Sequence, residues 1–234
     1  FNPLTGVLSG TPANRNIGDH SIVLSATDVL GAVTTQNFII TVNNVNDAPT
    51  VNNAISDQAT AENSAFSYQF ASDVFADVDI GDNLTNTATL SDGSDLPSWL
   101  KFDADTRTFS GMPLNVNVGD TAVKVTATDS SSATGSDTFN ITVTNINDAP
   151  SITSSEVASV NEDTDYSYTF TASDVDSGDT VTLAAPTKPF WLSFNAGTGV
   201  LSGTPTNSNI GDHLVVLSAT DVAGAVTTQN FTIT

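Results

Sequence analysis

Residues 194–234 read FNAGTGVLSGTPTNSNIGDHLVVLSATDVAGAVTTQNFTIT, and residues 1–41 read FNPLTGVLSGTPANRNIGDHSIVLSATDVLGAVTTQNFIIT, with 8 mismatches in 41 positions. Self-similarity at a fixed offset, here 193 residues, marks a tandem array in which each unit is one structural module. Between the repeated stretches the pattern has period two. Val123, Val125 and Ala127 fall on one face of a strand, with Lys124, Thr126 and Thr128 on the other. Phe139, Ile141 and Val143 alternate with Asn140, Thr142 and Thr144 in the same way. Short alternating runs of this kind predict an antiparallel β-sandwich. The pairs Gly81-Asp82, Asp92-Gly93, Gly119-Asp120 and Gly178-Asp179 supply turns. No segment sustains helical periodicity. The expected fold class is all-β, with sandwich domains arranged end to end.

Three landmarks set the phase of the array. The first is Asn44-Val45-Asn46-Asp47-Ala48-Pro49, which returns as Asn145-Ile146-Asn147-Asp148-Ala149-Pro150, 101 residues on and so about one sandwich domain away. The second is an aromatic stretch running into a Ser-Gly-x-Pro turn: Trp99 to Pro113, Trp191 to Pro205, and its tail from Phe1 to Pro12. The third is Ala-Thr-Asp at 26–28, 127–129 and 219–221. These landmarks predict the second half of a domain at 1–45, a complete domain at 46–146 and a nearly complete one at 147–234. The middle unit diverges most, which suits an alternating two-domain super-repeat or independent divergence of that unit.

Composition narrows the function classes. Five Lys and Arg face 26 Asp and Glu, a net charge of −21 that repels nucleic acid and anionic lipid. Most of the acid is Asp in turns, which favours hard-cation binding. With no Cys, disulfides cannot staple the domains, and metal is the alternative stiffener. No apolar run approaches the ~20 residues that span a bilayer. His20 and His213 occupy equivalent places in Gly-Asp-His and have no zinc-ligand partners. No nucleophile–base pair, phosphate loop or acid/base pair stands out, so no enzymatic activity is expected.

Taken together, the Asn-x-Asn-Asp-Ala-Pro linker, a Glu early in the domain, an Asp-x-Asp about thirty residues after the linker and the late Ala-x-Asp resemble the cadherin calcium pattern. The Trp-Leu-x-Phe and Ser-Gly-Thr-Pro stretch resembles, more narrowly, bacterial cadherin-like and dystroglycan-type cadherin-like repeats of large secreted adhesins. The resemblance covers essentially the whole chain and implies Greek-key Ig-like sandwiches at a bacterial cell surface. It implies Ca²⁺ ligands gathered at each junction. At the first these are Asn44, Asn46, Asp47, Asp77, Asp79 and Asp129; at the second they are Glu62, Asn145, Asn147, Asp148, Asp174, Asp176 and Asp221. Ca²⁺ takes 6–8 oxygens, more than one segment supplies, so ligands must converge from several loops at the pole of a sandwich. The chain departs from the cadherin pattern in two places. In the linker Asn44 and Asn145 replace an Asp and Ala48 and Ala149 an Asn, and the Asp-Arg-Glu triplet becomes Asn14/Asn16, Asn115/Asn117 and Asn207/Asn209, so one or two ions per junction are expected.

Single Asp-Gly or Gly-Asp pairs read as turns, as do Asp103 and Asp105. Trp99 and Trp191 read as core anchors rather than sugar-stacking platforms. The leading expectation is a calcium-rigidified extender segment whose partners are its neighbouring repeats. Calcium-dependent polysaccharide binding and assembly with other copies into a filament are the alternatives.

Overall fold

The computed structural model describes residues 1–234. Residues Phe1–Thr60, Ser64–Met112 and Gly119–Thr142 form one compact unit, and Ala61–Asn63, Pro113–Val118 and Val143–Thr234 form another. The first repeat contributes one hairpin, β1 (Gly18–Thr27) with β2 (Val33–Val42), paired from Gly18 opposite Val42 to Thr27 opposite Val33.

The middle repeat runs through β3 (Thr50–Val51), β4 (Gln58–Ala61), β5 (Phe66–Gln69), β6 (Phe75–Ala76), β7 (Thr85–Leu90), β8 (Leu100–Asp103), β9 (Thr108–Gly111), β10 (Gly119–Thr128) and β11 (Thr134–Thr144). Two sheets, in the orders β4-β11-β10-β7 and β5-β9-β8, enclose its core. The alternation in the sequence decides which residues fill that core. Val123, Val125 and Ala127 are fully buried, with Val125 opposite Ala88 across the ladder. Phe139 and Ile141 are buried on the neighbouring strand. Phe109 packs between Phe102, at a centroid separation of 4.6 Å, and Phe139, at 5.5 Å. Burial of each such side chain stabilises the fold by roughly 1.5–3 kcal/mol.

The last repeat repeats the plan. It runs through β12 (Ser151–Ile152), β13 (Tyr166–Thr169), β14 (Ala172–Ser173), β15 (Thr182–Thr187), β16 (Ser193–Asn195), β17 (Val200–Gly203), β18 (His213–Thr220) and β19 (Val226–Ile233). Sheets β15-β18-β19 and β13-β17-β16 enclose Phe170, Leu201, Val215, Leu217 and Ile233. Hairpin β18–β19 keeps the register of β1–β2: His213 faces Ile233 as His20 faces Ile40.

The Ser-Gly-x-Pro landmark has a steric cause. A Cβ on Gly111 would lie 1.9 Å from the Trp99 carbonyl oxygen, and one on Gly203 2.1 Å from that of Trp191. Only glycine lets this strand pass so close to the tryptophan backbone. The two tryptophans are anchors as expected, edge-on to Phe66 and Tyr166 at 6.2 and 6.1 Å. The only helical segments are three 3-10 turns, Asn14–Asn16, Asn115–Asn117 and Asn207–Asn209. No helix is long and apolar enough to cross a membrane.

Candidate metal centres

The two linkers each sit among acidic loops. Glu62 follows β4 and is wholly buried, its backbone N–H donating to the Thr144 carbonyl at 3.0 Å. The chain then turns through Asn63, whose φ of 56° is left-handed and whose N–H donates to the Pro113 carbonyl at 2.7 Å. Asparagine tolerates that conformation better than most residues. The turn aims Glu62 at the linker, where Oε1 accepts the Ile146 N–H at 2.9 Å. Oε2 is buried and has no hydrogen-bond partner.

The linker residues reach the opposite way. Asp148 N–H donates to Asp176 Oδ2 at 2.8 Å, and Asn147 Nδ2 donates to Asp221 Oδ2 at 2.7 Å. Asp174 Oδ1 accepts the Asp176 N–H at 2.9 Å, an Asx turn that fixes the spacing of the Asp-x-Asp pair. Ligand oxygens of Glu62, Asp148 and Asp176 lie within 4.8 Å of one another, and so do those of Asp174, Asp179 and Asp221.

The first linker repeats these contacts. Asp47 N–H donates to Asp79 Oδ2 at 2.8 Å, Asn46 Nδ2 to Asp129 Oδ2 at 2.8 Å, and Asp79 N–H to Asp77 Oδ1 at 2.8 Å. Here Asp77, Asp82 and Asp129 form the three-carboxylate group. Asp79 Oδ1 and Asp77 Oδ2 are buried without a partner, as Asp174 Oδ2 is in the second seam.

Electrostatics follows from these contacts. The Asn147 amide beside Asp221 holds that carboxyl below the usual aspartate range, helped by N–H groups of its own turn, and Asn46 does the same for Asp129. Asp179 goes the other way. Desolvation pushes it up, and the charges of Asp174, Asp221 and Asp176 add to the effect.

Of the residues expected at the junctions, Glu62, Asp148 and Asp176 are brought together, as are Asp174 with Asp221 and Asp77 with Asp129. Asp79, Asp47, Asn46 and Asn147 bond to these groups from beside them. Asn44 stands exposed at the start of its linker, and Asn145 accepts only a long contact, 3.4 Å, from Asn115 Nδ2. Asp82 and Asp179, expected in turns, belong to the carboxylate groups. Their signal was present: each stands five residues after the first Asp of its Asp-x-Asp, in both repeats.

The donor set suits a hard cation. It is all oxygen, carries several negative charges, and includes Glu62 Oε2, an orphaned carboxylate oxygen in the protein interior.

The sandwiches, their order and these poles define Ig-like β-sandwich repeats. The family described as "Putative Ig domain" (He_PIG) matches residues 1–43, 48–144 and 149–234, and the chain belongs to it. The chain is 34% identical over 155 residues to the "Serine-rich adhesin for platelets" of Staphylococcus aureus strain MRSA252, covering 64% of this chain and 11% of that protein. The same identity holds against the adhesin of strain MSSA476, where it covers 6% of the relative, so the chain spans a small part of the proteins it matches. Among solved structures it is similar to the protocadherin PcdhgB3 EC1-4, with 19% identity, TM-score 0.63, and coverage of 96% of this chain and 58% of that one. It is also similar to protocadherin gamma B7 domains 1–4, with 18% identity, TM-score 0.58, and coverage of 94% and 58%. At that identity the likeness concerns the fold.

Proposed function

We propose that this chain is a spacer segment of a bacterial surface adhesin, outside the cell, whose linkers are stiffened by Ca²⁺. The observation that carries the proposal is Glu62, fully buried with Oε2 unpartnered, grouped with Asp148 and Asp176. A buried carboxylate oxygen without a donor costs about 1–3 kcal/mol, and three neighbouring carboxylates repel one another. Bound Ca²⁺ supplies the missing positive charge and 6–8 coordination positions for oxygen.

Glu62 and Asp176 come from either side of the linker and Asp148 from the linker itself, its N–H held by Asp176. Fixing all three would remove the freedom of residues 145–148. Asp174, Asp179 and Asp221 would hold a second ion, consistent with one or two per junction. The partners of each seam are then the neighbouring repeats, divided near residues 45 and 146. The likeness to a staphylococcal adhesin supports a role in surface display, and the likeness to cadherin ectodomains supports the sandwich fold of the repeats.

Thermal unfolding and small-angle scattering, each with Ca²⁺ and with EDTA, test the proposal. The expected result is a higher melting temperature and a longer maximum dimension with Ca²⁺. Coincident melting curves and scattering profiles would overturn it.

A further inference from the structure

Each repeat carries a 3-10 turn just after its Ser-Gly-x-Pro landmark, and each turn begins and ends with asparagine. The two asparagines do different work. The last one caps its own turn: Asn16, Asn117 and Asn209 Oδ1 accept the N–H of Ala13, Leu114 and Thr206 at 3.0, 2.9 and 2.9 Å. The histidine that follows in two repeats braces the same turn, His20 and His213 Nε2 donating to the Asn16 and Asn209 carbonyls at 2.6 Å. The first asparagine leaves the turn altogether. Asn14 Nδ2 donates to Asp47 Oδ2 at 2.7 Å, across 33 residues, and Asn115 Nδ2 donates to Asp176 Oδ1 at 2.8 Å, across 61.

The acceptors lie in the acidic seams. Asp176 receives the Asp148 N–H on Oδ2 and the Asn115 amide on Oδ1, so both of its oxygens have neutral donors. A carboxylate held by N–H donors keeps its charge without a counter-ion. An aspartate in place of Asn115 would instead set a second carboxylate about 2.8 Å from Asp176, a repulsion that only a cation relieves.

We propose that Asn14 and Asn115 are neutral positioning residues that tether the upstream repeat to the seam by an amide–carboxylate bond. The tether sets how far that seam depends on a cation. Asn115 acts through Asp176, and its counterpart in the first half-repeat, Asn14, makes the equivalent bond to a different aspartate, Asp47. The part of this proposal that concerns affinity rests on the calcium assignment above; the tether itself does not.

The test uses the 234-residue chain as wild type, N115A, N115Q and N115D. Amide hydrogen exchange at Ile146 and Asp148 is followed in EDTA and in Ca²⁺, alongside calorimetric titration with CaCl₂. In EDTA, N115A should exchange about tenfold faster at both amides. N115D should exchange faster still, and N115Q should recover part of the protection. Adding Ca²⁺ should restore N115D to the wild-type rate, with calcium affinity about tenfold above wild type, because ligand charge tunes affinity.

A merely structural role for Asn115 would leave N115D impaired in both conditions and would not raise affinity. Unchanged exchange in EDTA for N115A, or no gain in affinity for N115D while the wild type binds calcium, overturns the proposal. A wild type that takes up no calcium, with N115A still loosened in EDTA, sinks the calcium assignment and leaves the tether standing.

Discussion

At 145–148 the preceding repeat sends two side chains into the seam: Glu62 onto the Ile146 N–H and Asn115 onto Asp176. At 44–47 the hydrogen bond from Asn14 lands on Asp47 rather than on the Asp-x-Asp aspartate. The rest of the two seams is nearly superposable in its bonds. Linker N–H to aspartate measures 2.8 Å in both, and the linker asparagine reaches Asp129 at 2.8 Å and Asp221 at 2.7 Å. The second seam groups Asp148 with Glu62 and Asp176, and there the amide bonds Asp176. In the first seam the amide bonds Asp47, and Asp79 Oδ1 is left without a donor. In both seams the amide ends on a carboxylate oxygen, although not on the equivalent aspartate.

The largest expected break in this parallel comes from Asp176→Ala. It removes acceptors for Asp148 N–H and Asn115 Nδ2 together, and bonds to charged groups are worth ~1.5–3 kcal/mol each, so a loss of about 3 kcal/mol is expected. Denaturant unfolding in EDTA checks the value, and hydrogen exchange at Asp47 should stay at the wild-type rate. Equal loosening at both linkers would show that the seams are not independent.

Next in size is Glu62→Gln. It should lower calcium affinity at the second seam about tenfold, or ~1.4 kcal/mol, without touching the first. In EDTA the sign should reverse, because a buried oxygen of an unpaired charge is replaced by a neutral group. A melting temperature that falls in both conditions would contradict the assignment of Glu62 as a ligand.

A smaller contrast separates Asp82 from Asp179. The Ser130 hydroxyl donates to Asp82 Oδ1, whereas the residue in that place of the last repeat is Val222. Burial leaves Asp179 pushed up. Asp179→Asn should therefore raise the melting temperature in EDTA, while Asp82→Asn should leave it the same or lower.

The pH dependence is the finest test. Asp129 and Asp221 are held below the ordinary value of 3.8, so their contribution is complete above that pH and is lost as pH falls through the depressed folded value. Asp179, raised above 3.8, acts in the opposite sense, favouring the fold as it gains its proton. Melting in EDTA should thus hold up as pH is lowered towards 4 and collapse only below it. A steady decline from neutral pH would contradict these shifts.

The fold was legible because strand parity is a local property. Val123, Val125 and Ala127 alternate in the chain and are buried for that reason alone. The tryptophan landmark was legible as a core anchor, though its glycine partner needed the structure, since the 1.9 Å approach joins residues twelve apart across two strands. The seams were legible only where a family pattern marked them. Asp82 and Asp179 follow a glycine and look like turn residues, and nothing in a single turn says that its aspartate meets another loop. Asn14 and Asn16 look equivalent in sequence, yet one caps its turn and the other crosses 33 residues. That distinction depends on the partner each side chain meets in the folded chain, Ala13 N–H for Asn16 and Asp47 for Asn14.

Hairpins β1–β2 and β18–β19 share a register and almost every residue. Strand pairing is therefore encoded within the 41-residue stretch itself. For the gene this makes the stretch an interchangeable part. An unequal crossover between the two copies adds or removes 193 residues as a block. Strand parity, the proline turn and one seam of each kind are carried along intact. The length of such a protein can thus change by recombination, in whole steps, without any new fold having to be tried.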